Sequence, residues 1–84
     1  MVNIHATLRA IARALAEAEI EAEVQRGRRR PNVRRIAAYK AMRSVGKLPR
    51  WLPDAITTRD LALYARQERV DMVDLAALIE ELAS

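Results

Sequence analysis

Between residues 4 and 25, apolar side chains recur at alternating steps of four and three: Ile4, Leu8, Ile11, Leu15, Ala18 and Ala22. That spacing lays one seam along three heptads and predicts a helix over about 4–25. Arg9, Arg13 and Glu17 fall on the opposite face, where Arg13 and Glu17 stand four apart and can pair. Asn3 suits an N-cap and Gly27 a stop. The seam can pack on the rest of the chain or on a second copy; packing within the chain is the expectation, with a homodimer through Ile4, Leu8, Ile11 and Leu15 as a candidate in addition.

After the stretch RGRRRPNVRR, Pro31 or Asn32 opens a second helix, predicted over about 32–45. It is poorly amphipathic: Ala37, Ala38, Ala41, Met42 and Val45 cover one broad side, while Arg35, Tyr39 and Arg43 form a four-residue ladder on another. Gly46 ends it. The segment GKLPRWLPDAI holds Pro49 and Pro53 four apart and cannot be a regular helix. Trp51, with Leu48, Leu52 and Ile56, is expected to pin this loop to the core.

From Thr57 the pattern is helical again. Thr57 or Thr58 can cap, and Asp60 complements the dipole in the first turn. Leu61, Ala65, Glu68, Met72, Leu75, Ile79 and Leu82 hold the four-three spacing, broken only by the charge of Glu68. Val70 and Asp71, with Asp74 three residues on, read as a fresh start, which predicts two helices of about 58–68 and 71–83. The expectation is an all-α fold, a small bundle of three to four helices with a Pro/Trp loop in the middle, forming one domain over residues 1–84.

Composition agrees with helices, being rich in Ala, Leu, Glu and Arg, with two glycines, three prolines and no Phe among 84 residues. A core built without Phe is thin for a monomer of this length, and burial against a partner often supplements such cores. The absence of cysteine fits a reducing cytoplasm. No apolar run approaches the length of a membrane span. Arg9 and Arg13 interrupt any secretory signal, and the four glutamates that follow argue against a transit peptide.

Charge changes the picture most. Residues 24 to 53 carry ten cations and no acid: Arg26, Arg28, Arg29, Arg30, Arg34, Arg35, Lys40, Arg43, Lys47 and Arg50. The flanks are net acidic, so the formal +4 conceals a strongly basic middle. Clustered guanidiniums offer paired donors to phosphate oxygens. These ten residues are therefore the candidate contacts to an anionic partner, either the phosphate backbone of DNA or RNA or an acidic protein surface.

Catalytic chemistry finds little material. His5 is the single histidine, so neither a His-based acid–base pair nor a nucleophile–base dyad can be assembled. The ligand set for a metal is missing, glycine-rich phosphate loops are absent, and no cofactor is expected. The C-terminal half superficially fits a helix-turn-helix, with Tyr64 and Ala65 as the packed pair and Leu75 and Leu78 facing the core. Two features oppose it: Arg69 stands where such motifs usually place glycine, and the would-be recognition helix carries Asp71, Asp74, Glu80 and Glu81 without a Lys or Arg. The expected function is that of a small, non-enzymatic nucleic-acid-binding accessory or regulatory protein without strong sequence specificity. The alternative is a protein-interaction module or inhibitor docking through its arginines and its apolar seam.

Overall fold

A computed structural model describes residues 4–24, 33–46 and 48–84, and every regular element among them is helical. The elements are α1 (Ile4–Val24), α2 (Val33–Val45), α3 (Leu52–Ala55), α4 (Thr58–Glu68) and α5 (Met72–Ala83). The Cα radius of gyration, 12.3 Å, is close to the ~12 Å expected of a packed chain of this length.

The long helix α1 spans about 30 Å and serves as the spine. It packs on α2, α4 and α5; α2 and α4 each also pack on α5, as does α3. Leu8, Ile11 and Leu15 are fully buried, and Ile4 lies against the same core. Leu8, Ile11 and Leu15 are thus covered by the chain's own helices. The Ala22 end of the seam lies beyond the side chains described.

α1 and α2 run antiparallel. Lys40 reaches Glu21, while Arg43 and Ser44 share a groove with Ala6, Arg9 and Ala10. The buried side chains between and beneath them are largely alanine: Ala12, Ala14 and Ala18 from α1, and Ala37, Ala38 and Ala41 from α2. Small side chains let the two backbones approach closely, which is how α2 packs despite its weak amphipathicity. Leu75, Leu78 and Ile79 of α5 supply the bulk on the other side.

Local signals explain where the chain breaks. Gly46 closes α2 at φ 75°, its N–H donating to the Met42 carbonyl at 2.9 Å. α3 is a single turn that accepts Pro53 because the first turn of a helix needs no N–H there. That turn points Leu52 inward beside buried Leu48, with Ile56 partly buried. It carries Trp51 outward instead, 52% exposed, which corrects the expectation that Trp51 pins the loop. Leu48 and Leu52 are the pins.

α4 begins with a capping box. The Thr57 hydroxyl oxygen accepts from the Asp60 N–H at 3.2 Å, and the Asp60 carboxylate accepts from the Thr57 N–H. It ends at Arg69, which is left-handed at φ 58° and ψ 46°, and the Val70 N–H closes back onto the Ala65 carbonyl at 2.9 Å. Asp71 then caps α5, its carboxylate accepting from the Val73 and Asp74 N–H groups.

Candidate functional site

The outer face of α1 alternates two ladders at four-residue steps: Ala6, Ala10 and Ala14 form one, and Arg9, Arg13 and Glu17 the other. Opposite them, Lys40, Arg43 and Ser44 project from the last turns of α2. Together they enclose an open groove of about 640 Å³ whose floor is alanine and whose walls are cationic. Among the described residues its one lining carboxylate is Glu17.

Internal pairing removes part of this charge. Lys40 Nζ donates to Glu21 at 2.5 Å, and Arg13 Nε stands 3.9 Å from Glu68 of α4. The expected Arg13–Glu17 pair is replaced by that contact across helices, which also gives a use to the acid that interrupts the α4–α5 stripe. Each contact sets one carboxylate against one cation of the groove. Arg9 and Arg43 have no carboxylate partner among the described residues.

The Arg43 guanidinium carbon lies 5.8 Å from the ring centroid of Tyr39, one turn earlier on the same helix. That distance is within cation–π range. The Tyr39 ring is 64% exposed, so the pair sits on the outer shoulder of the groove.

The five cations of the basic middle that lie among the described residues do not gather at one place. Lys40 and Arg43 wall the groove. Arg34 turns away, donating to Asp74 of α5 at 3.1 Å. Arg35 is exposed and engages another group of the chain. Arg50 lies beside Pro53 and Glu80, at the α3–α5 end. Arg26, Arg28, Arg29, Arg30 and Lys47 lie outside the described residues. Arg9 and Arg13, by contrast, line the groove although they belong to a segment that is acidic by composition. Their four-residue spacing on the face away from the seam was the available signal.

At the opposite corner, Glu19 of α1 meets the start of α5. Partial burial, and then the nearby charges of Asp74 and Asp71, push its carboxyl above the usual carboxylate range. Arg34 balances this corner through Asp74.

Two features that the sequence raised for a helix-turn-helix can be located in the α4–α5 hairpin. Tyr64, Ala65, Leu75 and Leu78 are buried, and Arg69 adopts the left-handed conformation that glycine usually supplies. Arg69 is therefore no geometric obstacle. The charge of α5 is unchanged by this: Asp71, Asp74, Glu80 and Glu81 would repel phosphate.

Among the described residues no group of His, Cys, Asp and Glu is arranged to hold a metal, and no helix is long and apolar enough to cross a membrane. No protein-family model matches the sequence, and neither a curated protein nor a solved structure matches the chain.

Proposed function

We propose that this chain is a small, non-enzymatic nucleic-acid-binding accessory or regulatory protein that holds the phosphate backbone along the α1–α2 face. The observation that carries this reading is the groove in which Arg9, Arg13, Lys40 and Arg43 surround a floor of alanines, with Arg9 and Arg43 unneutralised among the described residues. Small floor residues let a phosphodiester chain approach the helix backbones, and guanidinium walls provide paired donors to its oxygens. In sequence, Arg26, Arg28, Arg29 and Arg30 lie between α1 and α2 and add to the positive charge of the chain. Backbone contacts of this kind position a protein without reading sequence.

The test is retardation of duplex DNA and of RNA at about 50 mM salt, where electrostatic binding is strong. With about six phosphate contacts on a duplex, log affinity falls against log salt with a slope near −5. Arg9→Glu/Arg43→Glu is expected to abolish the shift, and replacing Arg28, Arg29, Arg30, Arg34 and Arg35 by Ala to weaken it severely. Absence of any shift would favour the second reading, a protein-interaction module. That reading draws support from α5, where Val73 is 69% exposed beside Met72, Asp71 and Asp74, a mixed apolar and acidic surface unsuited to phosphate.

A further inference from the structure

Resting on the phosphate-binding reading of the groove, we propose that the nucleic acid it takes is single-stranded, with a base stacked on Tyr39. Phosphate contacts alone do not distinguish a duplex from a single strand. The shoulder of the groove does. Tyr39 and Met42 are 64% and 53% exposed and stand three residues apart, so they form one short apolar strip on the outside of α2. Arg43 belongs to both surfaces: it lines the groove, and its guanidinium lies over the Tyr39 ring at 5.8 Å.

A single exposed aromatic is ordinary on a protein surface. The Arg43 guanidinium covers one face of this ring, and the adjoining base of a strand gripped by Arg43 would stack on the other. In a duplex the base faces are already stacked on one another, so Tyr39 would have no partner. In a single strand they are free, and stacking on an aromatic accepts any base. Because stacking on an aromatic ring accepts any base, the preference expected is for strandedness and not for sequence.

The experiment measures binding of a fluorescent 20-nucleotide oligo-dT, an oligo-U of the same length, and a 20-base-pair duplex by anisotropy at low salt. It compares the intact chain with Tyr39→Ala, Tyr39→Phe and Arg9→Glu/Arg43→Glu, whose folding is checked by circular dichroism. Both single strands are expected to bind more tightly than the duplex. Tyr39→Ala is expected to weaken single-strand binding about tenfold or more, with duplex binding changed less than about twofold and Tyr39→Phe close to the parent. Oligo-dT and oligo-U differ in the sugar and in the thymine methyl group, and a difference between them in either order supports the proposal provided both bind more tightly than the duplex. Equal affinity for duplex and single strand, or no effect of Tyr39→Ala, overturns the stacking proposal while leaving the groove intact as a phosphate site. Failure of all three probes to bind, or binding untouched by Arg9→Glu/Arg43→Glu, overturns the groove reading itself.

Discussion

The imidazole Nδ1 of His5 lies 2.9 Å from the hydroxyl oxygen of Tyr64, joining the first turn of α1 to the middle of α4. The Tyr64 ring is buried while its hydroxyl reaches the exposed imidazole, and the two rings are tilted with centroids 6.0 Å apart. His5, unpromising as a catalyst, has a structural use: it satisfies the polar end of an otherwise apolar side chain. Tyr64→Phe keeps the packing and removes the hydrogen bond, and should cost about 0.5–1.5 kcal/mol in urea unfolding. His5→Ala should cost a similar amount, and the double variant less than their sum, which a double-mutant cycle measures. Tyr64→Ala also opens a cavity and should cost about 3–5 kcal/mol.

The corner formed by Glu19, Asp71 and Asp74 makes stability depend on pH. The Glu19 carboxyl is raised in the folded state by partial burial, with Asp74 and Asp71 adding to it. A folded chain that holds its proton more tightly than the unfolded chain gains stability from protonation. That contribution is complete below the unfolded value of an ordinary glutamate and is lost as pH rises through the higher folded value. At neutral pH ionised Glu19 is therefore a penalty. Glu19→Gln should raise stability at pH 7 and flatten the decline just above the ordinary glutamate range. Urea titrations of both proteins across that range measure it; an unchanged pH profile would remove Glu19 as the cause.

Much of this fold can be traced to residues whose signals are local. The four-three spacing in α1 coincides with its buried face because a long amphipathic helix has one way to hide a continuous apolar stripe. Thr57 with Asp60, and Asp71 ahead of α5, act within a single turn and so are visible as short patterns. What depends on neighbours was not legible. Trp51 is the largest apolar side chain in its loop, yet the first turn of α3 gives the inward position to Leu52. Charge counted along the sequence grouped Arg34 and Arg50 with Lys40 and Arg43. Helical rotation turns Arg34 away from Lys40 and Arg43, the segment after α2 carries Arg50 to the α3–α5 end, and α1 brings Arg9 and Arg13 across. A block of like charge along a chain is not a patch until the helices place it.

Two positions with left-handed backbone should respond oppositely to the same kind of exchange. Arg69 holds φ 58° with a side chain that pays a steric cost there, and it is exposed. Arg69→Gly should raise stability by about 0.5–1 kcal/mol, the gain being limited by the extra freedom glycine gives the unfolded chain. Gly46 holds φ 75° with open space around the position a Cβ would take. Gly46→Ala should therefore cost about 1 kcal/mol from backbone strain alone, with no clash to relieve. Thermal melts of the two variants, run beside the parent, should shift in opposite directions.

Leu15 and Ile20 lie on the same helix and separate the two roles proposed for its apolar residues. Leu15 is fully buried among the chain's own helices, whereas Ile20 is 61% exposed. A carboxylate placed at Leu15 would be unpaired in an apolar interior, and Leu15→Glu should cost more than about 3 kcal/mol, enough to abolish a cooperative melt in a domain this small. Ile20→Glu should change stability by less than about 0.5 kcal/mol, as surface exchanges do. If the seam instead joined two copies, Leu15→Glu would leave a folded monomer with unchanged helicity and a lower sedimentation coefficient than the parent. Circular dichroism and sedimentation velocity on the same samples decide between these outcomes, because loss of helix and loss of mass are read independently.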